Sequence, residues 1–88
     1  MDRLERYYKI DRLLKERKHV SFATFEAELG MSRASVKRDL RDMRERYNAP
    51  IEYDRERNGY YFDFDNPRAG PRYELPGLWF NAAEAQAL

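Results

Sequence analysis

The sequence predicts an α+β fold, mainly helical: three helices, a two-stranded antiparallel hairpin, then a linker and a short further helix. Three observations carry this. Apolar residues recur at spacings of three and four over 2–17 and again from Val36 to Tyr47, which marks helices with one apolar face. Ser21 and Ser32 stand where helix N-caps belong, with Gly30 between them to end the helix that Ser21 opens. Residues 51–64 alternate apolar and charged side chains around Asn58-Gly59, a hairpin signal.

The first helix is expected over 2–17, capped by Asp2, with Leu4, Tyr7, Tyr8, Ile10, Leu13 and Leu14 as its core stripe. Lys18, His19 and Val20 form a connector. Ser21 caps a second, short helix whose apolar contacts are Phe22, Phe25 and Leu29, and Met31 sits in the turn after Gly30. Ser32 caps the third helix. At about 100° per residue, Val36, Leu40, Met43 and Tyr47 fall within about 60° of one another, so Ala34, Lys37, Arg38 and Arg41 must face outward. Pro50 stops that helix, and Asn48 turns the chain out of it. The hairpin is expected to close on a two-residue type I′ turn at Asn58-Gly59, pairing Arg57 with Tyr60, Arg55 with Phe62 and Tyr53 with Phe64. Ile51, Tyr53, Tyr60, Phe62 and Phe64 then share the face that packs on the helices. Glu52, Asp54, Glu56, Tyr61 and Asp63 make the other, acidic face.

Residues 65–77 hold three of the chain's four prolines and read as a Pro/Gly-rich linker. Leu78, Trp79 and Phe80 follow, then Asn81 as the cap of a helix over 82–88. A helix of about two turns is marginal alone, so the chain is expected to be the amino-terminal piece of a longer protein. The expected domains are 1–64, a linker at 65–77, and 78–88 as the start of a connector helix.

Bulk composition narrows the function. The 88 residues are 38% charged and 42% hydrophobic with net charge +1. That is globular and only weakly basic overall. The charge is uneven: residues 1–60 hold 15 Lys/Arg against 12 Asp/Glu, and residues 61–88 hold 2 against 4. Within 32–46 there are six bases and three acids, enough for a local face that attracts phosphates. The absence of cysteine excludes disulfides and thiolate metal sites. No run approaches the roughly 18 apolar residues of a membrane span, and the charged N-terminus lacks a signal core. A soluble, cytoplasmic protein is expected. Glycine-rich phosphate loops, a Ser/His/Asp set and metal-ligand spacing are all missing. The reading is therefore no enzyme and no cofactor, with His19 structural.

Two short helices around a glycine turn, the second one basic and followed by a hairpin, make a winged helix-turn-helix, whose second helix enters the DNA major groove. Side chains near the start of that helix reach base edges, so Arg33, Ala34, Ser35, Lys37 and Arg38 are candidate base contacts. Arg or Lys reads guanine through O6 and N7, and Ala34 suits a thymine methyl. Arg41, farther along, suits a phosphate. Ser21 and Ser32, with the free N–H groups of their helix starts, also suit phosphates. The acidic hairpin face cannot lie on DNA, which leaves the tip, Arg55, Arg57 and Asn58. Asp39 is expected in an intramolecular salt bridge, and Asp42 and Glu45 as solvated partners of nearby bases. The alternative is a protein-interaction module using Leu78, Trp79 and Phe80.

The core LGMSRASVKRDLRDMRERYNAPIEYDRERNGYYF resembles the DeoR-type winged helix-turn-helix, with its Leu-Gly-x-Ser turn, Arg-Asp-Leu helix and Asn-Gly-Tyr wing. The tail ELPGLWFNAAEAQAL resembles the connector that precedes the sensor part of WYL-domain transcriptional regulators. The resemblance implies a bacterial transcription factor that binds double-stranded DNA as a homodimer, with an effector ligand acting on a carboxy-terminal region beyond residue 88. It also implies DNA contacts from Ser32, Arg33, Ser35, Lys37, Arg38 and Arg41.

Overall fold

Three helices and one hairpin pack around a single apolar centre in the computed structural model, which describes residues 1–65 and 73–76. Asp2 opens α1 (Arg3–Glu16) by accepting from the Glu5 N–H at 2.9 Å. Ser21 opens α2 (Phe22–Leu29), and Gly30 ends it at φ 63°. Ser32 opens α3 (Arg33–Tyr47), and Asn48 ends it at φ 59°. Each serine cap satisfies an N–H that the helix start leaves without a partner, a contribution of about 1 kcal/mol. The fold is therefore the expected one, three helices plus a two-stranded antiparallel sheet.

The core takes Tyr7, Ile10, Leu13 and Leu14 from α1, Phe25 and Leu29 from α2, and Val36, Leu40 and Met43 from α3. Val20 and Ile51 close it from the sheet side. Leu4, expected in the α1 stripe, is exposed. Its place is in the first turn of α1, one turn N-terminal to Tyr7. Leu75 is fully buried and joins the core. The short piece around it is fastened at four points. The Tyr73 hydroxyl donates to Asp11 Oδ1 at 2.7 Å, the Glu74 N–H to the Tyr47 carbonyl at 3.4 Å, and the Tyr8 hydroxyl to the Pro76 carbonyl, while Leu75 fills the gap. So a segment expected as linker packs against α1 and the end of α3 at 73–76.

The hairpin departs from the expected register. β1 (Ile51–Asp54) pairs with β2 (Gly59–Phe62) as Ile51↔Phe62, Glu52↔Tyr61, Tyr53↔Tyr60 and Asp54↔Gly59. The connection is a four-residue loop, 55–58, instead of a two-residue type I′ turn. Asp54 decides this. Its Oδ1 accepts from the Glu56 and Arg57 N–H groups at 3.0 and 3.2 Å, building a turn ahead of Asn58-Gly59. Only Asn58 takes positive φ, 53°; Gly59 does not. The register moves by an even number of residues, so the division into two faces survives the change. Packing is narrower than expected: Ile51 is buried and Tyr60 and Phe62 are half-buried, but Tyr53 and Phe64 are exposed.

Val20 adds a third rung. It exchanges two backbone hydrogen bonds of 2.8 Å with Tyr60, so the connector before α2 runs antiparallel to β2. Gly59 permits that approach. A Cβ there would sit 3.2 Å from His19 Cβ and 3.3 Å from two backbone atoms of Val20. His19 Nε2 lies 3.2 Å from Asp54 Oδ2 and its ring stands beside Tyr61, which pins the connector to the wing.

Candidate nucleic-acid interface

The buried stripe of α3 dictates what the helix offers to solvent. Val36, Leu40 and Met43 face the core, and Arg33, Ala34, Lys37, Arg38, Arg41 and Arg44 are exposed. Ala34, Lys37, Arg38, Arg41 and Arg44 line one open groove with Tyr60 of the wing. Four cationic side chains and one phenol hydroxyl therefore border a surface without a carboxylate among its lining residues. Such a surface suits a polyanion. Burial raises the Tyr60 pKa, opposed by the nearby positive charges of Arg44 and Arg33, so Tyr60 stays a neutral donor beside them.

A second groove joins the starts of α2 and α3 to the wing tip, with Ser21, Phe22, Arg33 and Asn58 among its lining residues. On the opposite flank of α3, Ser35 and Arg38 border a groove shared with Arg3 and Arg6 of α1. Arg38 thus stands on the ridge between two grooves.

The two capping serines are committed locally. The Ser21 hydroxyl accepts from the Thr24 N–H at 3.2 Å and donates to Thr24 Oγ1 at 3.1 Å. The Ser32 hydroxyl accepts from the Ser35 N–H at 3.3 Å and donates to Ser35 Oγ at 3.2 Å. At the wing tip, Arg55 is exposed, Arg57 is drawn back onto Asp54 Oδ2 at 3.0 Å, and the Asn58 carbonyl accepts from the Tyr53 hydroxyl. Neither Arg55 nor Arg57 is among the lining residues of the three grooves described above.

Two acidic residues on α3, Asp39 and Asp42, take structural partners, and Glu45 is exposed. Asp39 is almost fully buried and paired with Arg6, as expected, and the hydrogen bond that Arg6 donates to Asp39 raises the Arg6 pKa. Asp42 is not simply solvated; it accepts from the Tyr7 hydroxyl at 3.4 Å. Burial, and then the Asp42 charge, raise the Tyr7 pKa. Both carboxylates line the groove on the α1 side of α3 and neither lines the groove of Lys37, Arg41 and Arg44.

Reasoning from sequence missed Arg44, Tyr60 and Phe22. Arg44 follows Lys37 by seven residues, so a helical projection places the two on one flank. Tyr60 was expected as core packing in preference to stacking on a nucleobase. Phe22 packs half-buried against the core as expected, and its ring also lies 4.3 Å beneath the Arg33 guanidinium and 5.8 Å from Lys37 Nζ. Leu78, Trp79 and Phe80 lie outside the described residues. Among the described residues there is no His/Cys/Asp/Glu group suited to a metal ion, and no helix is long and apolar enough to cross a membrane.

Residues 5–61 match a family model described as "HTH domain". The match begins at the third residue of α1, takes in all of α2, α3 and β1, and ends one residue before the end of β2. Comparison with curated proteins and with solved structures gives no match.

Proposed function

Because the chain belongs to the HTH-domain family of DNA-binding helix-turn-helix domains, we propose that it is the sequence-reading head of a transcriptional regulator. In this reading α3 enters the major groove of double-stranded DNA and the wing tip meets the adjacent backbone. The observation that carries it is the groove lined by Lys37, Arg38, Arg41, Arg44 and Tyr60. Arg33, Ala34, Lys37 and Arg38 sit at the start of α3, where base edges come within reach, and Arg41 and Arg44 continue along the phosphates. Ser21 and Ser32 present the N–H groups of their helix starts to phosphate rather than their own engaged hydroxyls. Arg55, Arg57 and Asn58 supply the wing contact.

The DeoR-type and WYL resemblances support a bacterial regulator acting as a homodimer, with half-sites about one helical turn apart and an effector acting elsewhere in the protein. One small domain makes few phosphate contacts, so this piece binds weakly without a linked partner.

Selection from a random duplex library at low and moderate salt tests the reading. The expected result is enrichment of one motif, with affinity falling steeply as salt rises. A folded domain that enriches no motif and binds with no salt dependence overturns it and favours a protein-interaction role.

A further inference from the structure

Arg33 is the first residue of α3 and lies closer to an aromatic face than Lys37, whose Nζ is 5.8 Å from the centroid of the same Phe22 ring. Its guanidinium lies over the face of Phe22, 4.3 Å from the ring centroid. Phe22 is itself fixed. Its ring meets Tyr60 edge-on at 5.1 Å and 85°, Tyr60 meets Tyr53 at 4.9 Å, and the Tyr53 hydroxyl donates to Asn58 at the wing tip. A run of aromatic rings thus connects the wing to the underside of one arginine. Arg38 and Arg41 have no such aromatic support among the contacts of the described residues.

A stacked guanidinium uses its face and leaves its donor edge free. That edge is the part that pairs bidentately with guanine O6 and N7. Glu26 lines the same groove as Arg33 and Phe22, so an arginine released from the ring has a carboxylate within its surroundings to turn toward. Orientation therefore matters as much as charge at this position.

We infer that Phe22 is a specificity-determining positioning residue, which holds the Arg33 guanidinium so that its donor edge reads one guanine of the DNA site. The inference rests on the DNA-reading role proposed above and adds which arginine discriminates and what aims it.

The test compares the chain with Phe22→Leu, Phe22→Trp, Arg33→Ala and the Phe22→Leu/Arg33→Ala pair, by duplex-library selection and by thermal unfolding of each protein. The expected result is a guanine preference at one position of the selected motif, absent in Arg33→Ala. Phe22→Leu weakens that preference about two- to fivefold, leaves the other positions and the salt dependence alone, and adds nothing once Arg33 is gone. Phe22→Trp restores the preference, because a larger ring still offers a face. Unchanged preference in Phe22→Leu overturns the inference. So does a uniform loss at all positions accompanied by a lower Tm, or independent effects in the double variant. If the unsubstituted chain selects no motif, the DNA-reading proposal fails, and this inference falls with it.

Discussion

Arg6 of α1 donates to both carboxylate oxygens of Asp39 on α3, from Nε at 2.7 Å and from Nη2 at 3.3 Å. The fork-shaped pairing fixes the rotation of α3 about its own axis, because Asp39 lies one residue from Arg38 and on the flank opposite Arg33 and Lys37. Asp39 is 3% exposed, so this carboxylate cannot turn to water instead.

Arg6→Ala is accordingly expected to destabilise the fold by about 2 kcal/mol, since it leaves a buried charge without its donor. Urea unfolding followed by circular dichroism measures this. Arg6→Lys restores little, as an ammonium cannot supply the two-pronged geometry. A wild-type midpoint for Arg6→Ala would show that the pair contributes nothing to holding α3.

A type I′ turn would need positive φ at both Asn58 and Gly59, and only Asn58 has it, so their variants probe different constraints. Gly59→Ala places a methyl against His19 and the Val20 backbone, at an expected cost of about 1–3 kcal/mol. Asn58→Gly keeps the left-handed backbone at 58 and is expected to change stability by well under about 1 kcal/mol. A Gly59→Ala protein that melts like the wild type would show that residue 59 is not held against Val20.

Arg44→Ala is expected to weaken binding to all duplex sequences alike and to reduce the slope of log affinity against log salt by about 1. Fluorescence anisotropy across a salt series gives both numbers. Arg38→Ala, on the ridge between grooves, is expected to abolish selective binding while the far-UV spectrum stays native. Selectivity retained without Arg38 would place α3 differently on the DNA.

The wing loop is expected to respond to acid through Asp54. Hydrogen bonds from the Arg57 side chain, and then from backbone N–H groups, lower its pKa below 3.8. A carboxylate lowered in the folded state contributes stability above its unfolded pKa and loses it as pH falls through the folded value. Loop order is therefore constant from neutrality down to about pH 4 and declines below it. The Glu56 and Arg57 amide resonances report this directly; movement complete by pH 5 would assign their order to some other group.

How much of this was legible beforehand follows a physical divide. The caps at Asp2, Ser21 and Ser32 and the stop at Gly30 are local, so sequence shows them, and the α3 stripe from Val36 to Met43 follows from period alone. The hairpin register was not legible, because Asn58-Gly59 suits both a two-residue turn and the end of a four-residue loop. The Asp54 side chain breaks the tie. Its effect depends on three-dimensional geometry, though the even shift kept the faces intact. The stacking of Arg33 on Phe22 depends on how α2 seats against α3, and the burial of Leu75 on where the chain returns after the wing. Periodicity informs on neither.

The return of the chain at 73–76 bears on how force or strain would travel. Tyr73 is hydrogen-bonded to Asp11 on α1, Glu74 to Tyr47 at the last residue of α3, and Leu75 is inside the core between them. Pulling this segment free would uncover a whole leucine, roughly 1.5–3 kcal/mol, and would release the tail end of the helix that carries Arg38 and Arg41. Any load applied at Pro76 is thus shared with the basic helix α3, as with a tow line made fast to the keel.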